Sequence, residues 1–403
     1  MPRLNRTLNL PGFTIKKTEG LHNILHAVNY HKAVRCIHCK GDNLRKKARY
    51  ERLVRHESIG LRQVSLKLQG YKYYCRGCGK YFRQVFAGIL PYKRSTEALR
   101  KEIFHLHSQG VSQVDLSKTY RLSTATIERI FQDYYIRYNQ ELKERMCPDV
   151  LGIDEHFFSR KQGDATTFCD LKKHKIFDVV KGHSDKELRD YILSLKGRER
   201  VKVVCMDMSN MYRSLVRKYF PNARIVADRF HVVRLAGHMF MKTWQSIDPK
   251  YKNHRGMLAI MRKKPTNLTE KERHKLQIYL AENPAIHALY DFKQKLHNLF
   301  LIKQQTRKQC RRHIPILLKY IRMLKESGFE FMRTLGRTLQ RWQEEIATMW
   351  RFTKNNGITE GFHRKMKLIQ RRAYGFRNFE NYRLRVRILW LSIKIGGMLN
   401  DLC

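Results

Sequence analysis

The chain has 403 residues and carries 82 lysine and arginine residues against 35 aspartate and glutamate residues, a formal net charge of 82 − 35 = +47. This charge indicates a polyanionic partner such as nucleic acid, because it opposes compaction. The hydrophobic content of 42% and aromatic content of 11% exclude intrinsic disorder. The sequence shows neither an apolar run of the length that a membrane span needs nor an apolar signal segment at its start. We therefore expect a cytoplasmic protein of several domains.

The N-terminal quarter contains two Cys-x-x-Cys pairs, Cys36 with Cys39 and Cys75 with Cys78. Each pair brings two thiolates together, and two pairs complete the tetrahedral four-cysteine site that zinc prefers. Four thiolates leave no open position, so this zinc would be structural. The alternatives are two unrelated redox pairs or buried free thiols. The total of nine cysteines is odd, which argues against a disulfide framework and favours a reducing compartment.

The segment before the second cysteine pair, VSLKLQGYKYY, has the pattern of a strand. Val64, Leu66 and Leu68 alternate with polar residues, which predicts a strand with one buried face. Gly41 and Gly79 follow the two cysteine pairs and are interpreted as the turn residues of a ribbon.

Residues 93–146 have the pattern of a helix-turn-helix domain. Ser95 or Thr96 is expected to cap a first helix, and Ser112 and Ser123 to cap the two that follow. The first turn of the last helix would then face the major groove of DNA. Its candidate DNA contacts are Thr124, Thr126 and Arg129. A plain helical hairpin is the alternative, and the basic context favours DNA binding.

From residue 147, short apolar runs alternate with amphipathic stretches. This pattern predicts three strands, a helix, a strand, a helix and a strand in a mixed α/β sheet. Asp154 and Asp207 directly follow the apolar runs VLGI and VVCM and are interpreted as standing at strand ends. Many such acids only form turns or cap helices. Their repetition favours another role, because neighbouring strands would bring both carboxylates within reach of a shared divalent ion.

Residues 240–350 have the apolar spacing of helices at i, i+3 and i+4. Trp342 and Trp350 are eight positions apart and would share a helix face. We interpret both as core residues, with stacking on an unpaired base as the alternative.

Glu360 lies at the start of a further predicted helix. At about 100° per residue, Phe362, Met366 and Ile369 form a packing face opposite the face that carries Glu360. The candidates for holding a DNA backbone along this helix are Arg364, Lys365, Lys367, Arg371 and Arg372. The alternatives are an ion-pairing role for Glu360 and a merely solvating role for the cations.

Three strings, VLGIDEHFF, VVCMDMSNMYRSLVRKYFPNARIVADRFHVVRL and NNGITEGFHRKMKLIQRRAYGFRNFENYRLRV, resemble the DDE transposases of bacterial insertion sequences, in particular the ISL-three group. The resemblance implies that Asp154, Asp207 and Glu360 are the catalytic, metal-binding acids. Asp228 and His231 resemble an Asp-x-x-His signature of mutator-like relatives. For that pair, a structural role at a strand end and a part in positioning DNA are both open.

The resemblance implies a multidomain α+β fold in which an all-α insertion interrupts a ribonuclease H-like mixed-sheet α/β catalytic domain. The expected domains are a basic arm and zinc ribbon at 1–92, a helix-turn-helix domain at 93–146, the first part of the catalytic domain at 147–239, the insertion at 240–350, and the second part of the catalytic domain at 351–403.

The resemblance also implies an enzyme that cleaves the inverted-repeat ends of its element and joins their 3′-hydroxyls to target DNA. It would use two magnesium ions, replaceable by manganese, and one structural zinc. We expect Asp154 to bridge the two ions and Asp207 and Glu360 each to complete one. A homodimer or larger assembly on double-stranded DNA, associated with the bacterial nucleoid, is expected. Two other classes remain open, a non-catalytic zinc-ribbon and helix-turn-helix regulator and a structure-specific nuclease that cuts without joining.

Overall fold

The computed structural model describes residues 8, 10–143, 145–352, 357–373, 375–376 and 378–398, and gives the backbone alone for 138–143, 357–360 and 389–398. The chain divides into two compact units. The larger unit comprises Glu144–Leu368 and Arg377–Leu391, and most of the other unit precedes it in the chain. None of the helices described has the length and apolarity that crossing a membrane requires.

The N-terminal unit begins with a five-stranded sheet of order β1-β2-β4-β3, with β5 paired to β4. The strands are β1 (Phe13–Glu19), β2 (Asn23–Tyr30), β3 (Leu44–Ile59), β4 (Arg62–Cys75) and β5 (Tyr81–Arg83). Strand β2 runs parallel to β4, and the other pairs are antiparallel. The predicted alternation is confirmed, because Val64, Leu66 and Leu68 on β4 are each at most 1% exposed.

Three helices follow the sheet, and their starts match the predicted caps. They are α1 (Glu97–Ser108), α2 (Gln113–Tyr120) and α3 (Thr124–Lys143). The side chains of Thr96, Ser112 and Ser123 accept hydrogen bonds from backbone N–H groups of the first turns. Arg121 adopts a left-handed conformation with φ of 46° and turns the chain between α2 and α3. Ile127 and Ile130 are fully buried, so α3 packs through the predicted face.

The larger unit contains the predicted mixed sheet, in the order β10-β9-β6-β7-β8. Its strands are β6 (Val150–Ser159), β7 (Gly163–Asp170), β8 (Lys175–Lys181), β9 (Val203–Met206) and β10 (Arg224–Ala227), and the intervening helices are α4 (Asp185–Ser194) and α5 (Asn210–Tyr219). Strands β6, β9 and β10 are parallel, while β6, β7 and β8 form an antiparallel meander. The predicted element order is confirmed.

The placement of Asp154 at a strand end is wrong. Asp154 lies inside β6, which continues to Ser159 because it stays paired with β7 beyond the aspartate. Only the pairing of β6 with β9 ends there, at Ile153 opposite Met206.

The remainder of the larger unit is helical, as the apolar spacing predicts. Its helices are α6 (Arg229–Ile247), α7 (Arg255–Arg262), α8 (Glu270–Glu282), α9 (Pro284–Leu301), α10 (Arg307–Lys325), α11 (Glu330–Arg341) and α12 (Gln343–Met349). Two helices follow in the chain, α13 (Gly357–Arg372) and α14 (Phe379–Met398), and the last residues of each belong to the other unit. Helix α6 runs without a break through position 240. Trp342 and Trp350 are 1% and 0% exposed, which confirms them as core residues.

Arg229 joins the sheet to these helices. It is the first residue of α6 and only 4% exposed. Its guanidinium donates hydrogen bonds to the carbonyl oxygens of Phe300, Ile302 and Met349, at 2.8, 2.9 and 2.8 Å. These carbonyls lie at the ends of α9 and α12, where helical acceptors have no intrahelical donor. The contacts fix the start of α6 beside the sheet.

Candidate active site and DNA-binding elements

Three aspartates stand where the parallel pairing of β6, β9 and β10 ends. We call this end of the sheet the aspartate edge. The parallel register pairs Ile153 of β6 with Met206 of β9, and Met206 with Ala227 of β10. An aspartate directly follows each of these three residues, namely Asp154 within β6, Asp207 after β9 and Asp228 after β10. The sequence predicted that Asp154 and Asp207 are neighbours. The register adds Asp228, which occupies the corresponding position after β10.

Burial makes the carboxyl groups of Asp154 and Asp207 difficult to ionise, and at Asp154 neighbouring negative charges add to this effect. Asp154 is 8% exposed, and its pKa is raised to about 8 by burial first and then by the negative charges of Asp228 and Asp207. Burial also raises the pKa of Asp207. A nearby cation would favour the charged forms of both.

The residues at this edge fit a divalent cation. Oδ1 of Asp207 is buried and accepts no hydrogen bond from the described part of the chain, which is unusual for a buried polar atom. Carboxylate oxygens are the ligands that magnesium prefers. Within the described residues, Asp154, Asp207 and Asp228 do not form a cluster with all ligand atoms within 4.8 Å, so these aspartates alone do not enclose an ion.

Helix α13 reaches this edge through His363. Nδ1 of His363 lies 3.8 Å from Oδ2 of Asp154, and its Nε2 lies 3.2 Å from Oγ1 of Thr167. Glu360 is three residues earlier, in the first turn of α13. The side chain of Glu360 lies outside the described residues, so its predicted role as the third acid stays a prediction.

The predicted packing face of α13 is confirmed. Phe362, Met366 and Ile369 are 7%, 0% and 4% exposed. The five predicted DNA-backbone contacts of this helix are all exposed, namely Arg364, Lys365, Lys367, Arg371 and Arg372.

His156 is a second histidine that sequence reasoning missed. It is 6% exposed, and its ring nitrogens form hydrogen bonds of 3.0 Å with Thr167 Oγ1 and Tyr382 Oη. Its pKa is lowered to about 3, by burial first and then by His363 and Lys367, so it is neutral at pH 7. The missed signal was periodicity, since His156 follows Asp154 by two positions on a strand and therefore shares its face.

Asp228 and His231 lie together at the start of α6. Asp228 caps this helix by accepting a hydrogen bond of 3.2 Å from the backbone N–H of Phe230. His231 Nε2 lies 3.7 Å from Asp228 Oδ2. Asp228 thus caps α6 directly after β10, and both alternatives for the pair, a structural role at the strand end and a part in positioning DNA, stay predictions.

The four cysteines of the N-terminal unit converge. Their sulfur atoms all lie within 4.8 Å of one another, with Cys36 to Cys78 at 3.6 Å and Cys39 to Cys75 at 3.5 Å. A tetrahedral zinc with Zn–S bonds of about 2.3 Å requires sulfurs about 3.8 Å apart. The cluster therefore fits zinc.

Two tight backbone turns shape this cluster. The backbone N–H of Lys40 donates to the carbonyl oxygen of Cys36 at 3.0 Å, and the backbone N–H of Gly79 donates to the carbonyl oxygen of Cys75 at 2.9 Å. Both residues have positive φ, 61° for Lys40 and 70° for Gly79. The interpretation of Gly79 as the turn residue is confirmed, whereas in the first turn Lys40 takes the left-handed conformation instead of Gly41.

The predicted DNA contacts of α3 lie on its surface. Thr124 and Arg129 are exposed and Thr126 is half-buried. The guanidinium of Arg129 donates to the carbonyl of Ala125 at 3.1 Å and to Oγ1 of Thr126 at 3.3 Å. The side chain is thus held against its own helix by two exposed hydrogen bonds, which DNA could replace.

The larger unit matches a known family. A family model described as "Transposase", of the ISL3 group, matches residues 151–386, which is more than half of the chain. The chain belongs to the ISL3 family of DDE transposases. Two further models agree with the N-terminal unit. The zinc-finger of transposase IS204/IS1001/IS1096/IS1165 matches residues 32–78, and the helix-turn-helix domain of transposase family ISL3 matches residues 89–135.

Two curated relatives extend this assignment over most of the chain. The transposase is 23% identical over 348 residues to the transposase for insertion sequence element IS1001 of Bordetella parapertussis, which covers 83% of this chain and 84% of that protein. It is also 23% identical over 290 residues to the transposase for insertion sequence element IS1557 of Mycobacterium tuberculosis, which covers 64% and 63%.

Among the described residues of the transposase, a second cluster of metal-ligand type includes Glu155, the residue after Asp154. Glu155, Asp164 and His183 have ligand atoms within 4.8 Å of one another. Glu155 and His183 are exposed and Asp164 is half-buried. Nδ1 of His183 lies 3.9 Å from Oδ2 of Asp164, so these groups already form an ion pair when the histidine is protonated.

Proposed function

We propose that this transposase cleaves the ends of its insertion sequence and joins the released 3′-hydroxyls to target DNA. Asp154, Asp207 and Glu360 would be the catalytic acids. The observation that carries the proposal is the parallel register that ends at Ile153 and Met206, because it sets Asp154 and Asp207 side by side on neighbouring strands. The contact of His363 with Asp154 supports the third acid, since it brings the start of α13 to the same edge.

The cation held by these acids would be magnesium, with manganese as a substitute. Bound there, divalent ions supply an activated nucleophile and neutralise the charge that develops on the phosphate. Asp207 contributes a buried oxygen that the described part of the protein leaves without a donor. Burial of Asp154 excludes bulk water, which strengthens the attraction of its carboxylate for a cation.

The proposed reaction has two steps at the same acids. In the first, a water oxygen bonds to phosphorus and the bond from phosphorus to the 3′ oxygen breaks, so the element ends in a 3′-hydroxyl. In the second, this hydroxyl oxygen bonds to a phosphorus of target DNA, and the 3′ oxygen of the target leaves with a proton. One phosphodiester replaces another in the second step, so no energy cofactor is required.

The helix-turn-helix and zinc ribbon would select the ends of the element. The net charge of +47 supplies the general attraction to phosphates, which weakens with salt because counterions are released on binding. Exposed Thr124 and Arg129 on α3 would provide contacts to bases. Pairing of two element ends requires at least two chains, so we also propose a homodimer or larger assembly on DNA.

The test uses purified protein and labelled DNA from the flanks of its reading frame, including any inverted repeats. Nicking and joining to a second plasmid are scored in magnesium, manganese and EDTA. Asp207→Asn keeps the shape of the side chain but removes its charge, and it should abolish both activities. Asp190→Asn is the matched control, because Asp190 is an exposed residue of α4 and the same change of charge should leave activity intact.

Two outcomes would favour other functions. Tight and specific DNA binding without cutting in either metal would indicate a DNA-binding regulator. Metal-dependent cutting without joining to the second plasmid would indicate a structure-specific nuclease.

A further inference from the structure

A large cavity adjoins the proposed catalytic edge. It has a volume of about 960 Å³, and its lining includes Asp207 and His231 at the sheet. From there it extends among the helices α6, α9 and α11, all within the larger unit. The volume lies within the range of about 300–1,000 Å³ that is usual for small-molecule sites. A ligand at the end of the cavity that Asp207 lines would therefore lie beside the proposed catalytic edge.

The lining combines apolar surface with positive charge. Large apolar side chains, including Phe240, Leu289, Leu296 and Met332, form much of the wall. The basic groups are His231, Arg234, His238, Arg262, Lys293 and His297. Of the described residues in the lining, Asp207 alone is acidic. A ligand with a flat apolar part and a negative charge is complementary to such a wall.

Among the described residues, Lys293 in this wall makes fewer hydrogen bonds than its ammonium group can donate. It is 8% exposed, and its Nζ donates to the carbonyl oxygen of Met261 at 2.5 Å. The ammonium lies 5.0 Å from the ring of Phe240 and 5.1 Å from that of Tyr290. An ammonium has three donors, and a buried charge is costly unless it is paired. A phosphate oxygen or a base carbonyl would provide the missing acceptor.

A nucleotide is the ligand class that has these properties. Double-stranded DNA is too wide to enter the cavity, so a base must leave the stack to reach it. We propose that this cavity holds one unstacked nucleotide of the DNA strand, next to the phosphate that the acids cleave. The proposal rests on the proposed function for the identity of the DNA. Binding of the unstacked base would fix the strand so that the correct phosphate meets Asp154 and Asp207.

Gly237 offers a direct way to close the cavity. It lines the cavity from α6, and a Cβ added there would meet no atom within 4 Å. Gly237→Phe would therefore place a ring in open space without a clash at the backbone, and α6 would not be weakened because glycine is a poor helix residue. Gly328→Phe is the matched control. Gly328 is exposed, also has no atom within 4 Å of an added Cβ, and does not line the cavity.

The experiment places 2-aminopurine, whose fluorescence rises when it unstacks, at successive positions around the cleavage point of end DNA. Calcium replaces magnesium so that the DNA stays intact. The wild-type protein should raise the fluorescence at one position. Gly237→Phe should abolish that rise while DNA affinity in a mobility-shift assay is retained, and Gly328→Phe should behave like wild type. Lys293→Met, which keeps the apolar stem, should reduce the rise and provides a second variant if Gly237→Phe does not fold.

The outcomes separate this inference from the proposed function. A localised rise that Gly237→Phe abolishes supports the cavity as a nucleotide site, even if magnesium produces no cleavage and the proposed function fails. Absence of a rise at every position, in protein that cleaves the same DNA in magnesium, overturns the inference alone. A rise that persists in a folded Gly237→Phe variant also overturns it.

Discussion

Nδ1 of His363 on α13 lies 3.8 Å from Oδ2 of Asp154 on β6. The two residues are far apart in the sequence, and their contact links α13 to β6, the central strand of the sheet. Thr167 stands opposite Asp154 in the β6–β7 register and contacts His363 as well as His156. Asp154 therefore has Thr167 opposite it on β7 and His363 of α13 within 3.8 Å.

His363→Ala should slow DNA cleavage and raise the magnesium concentration needed for half-maximal rate. Loss of a group that orients a metal ligand typically costs roughly 10–100-fold in affinity or activity. The check is a single-turnover cleavage rate measured across magnesium concentrations. His274→Ala is the control, because His274 is exposed on α8. An unchanged magnesium dependence in His363→Ala would contradict a positioning role for this histidine.

Lys293→Met should increase the free energy of unfolding near pH 7, by on the order of 1–3 kcal/mol. Burial lowers the pKa of Lys293 to about 8 from its ordinary value of 10.5. Below pH 8 both the folded and the unfolded protein carry the charge, and the folded state bears its burial cost. Between pH 8 and 10.5 the folded state loses the proton first, so wild-type stability rises and the advantage of the variant shrinks. Urea unfolding at pH 7 and pH 10 measures this difference, and an advantage that grows with pH would contradict the assignment.

Purified protein should contain about one zinc per chain, and the pair of changes Cys75→Ser and Cys78→Ser should remove it. Structural zinc sites contribute directly to folding, so the ribbon should also become sensitive to protease after zinc is lost. Elemental analysis and limited proteolysis provide the readouts. Cys310→Ser should retain the metal, because Cys310 lies in α10 and outside the cluster. Zinc-free protein from a preparation made without chelator would refute the site.

Arg129→Ala and Lys367→Ala should weaken DNA binding in different ways. If Arg129 contacts bases, its loss should cost about 1–3 kcal/mol on element-end DNA and much less on unrelated DNA. If Lys367 contacts a phosphate, its loss should weaken both DNAs alike and reduce the salt slope by about 1. Binding titrations on both DNAs over a range of salt concentrations distinguish the two effects. Equal losses on both DNAs for Arg129→Ala would argue against its role in sequence recognition.

Periodicity predicted the local structure well because one face of each element is buried. The alternation at Val64, Leu66 and Leu68 and the spacing of Phe362 and Met366 both match the burial in the structure. These patterns depend only on the period of a strand or a helix. The caps at Ser112 and Ser123 were predictable for the same reason, since a cap acts within its own first turn.

The error at Asp154 and the missed histidines have another origin. An apolar run marks where both faces of a strand are covered, whereas the end of the strand depends on how far the neighbouring strand stays paired with it. Strand β6 loses its partner β9 after Ile153 but keeps β7 up to Ser159. The contact between His363 and Asp154 depends on how α13 packs against β6, and no local pattern encodes that distance. The third aspartate, Asp228, was visible in the sequence but acquired its position only through the register with Met206.

The hydrogen bonds of Arg229 bear on how the protein can be shortened. One guanidinium, directly after Asp228, holds the carbonyl ends of two distant helices. Excision of the helices between β10 and α13 would remove the carbonyl oxygens that accept hydrogen bonds from this guanidinium. The chain at Asp228 would then lose the contacts that fix its position. A shortened protein made from the sheet alone is therefore not expected to keep Asp228 and the neighbouring aspartates in an ordered arrangement. A shortened protein must therefore contain these helices together with the sheet and its aspartates.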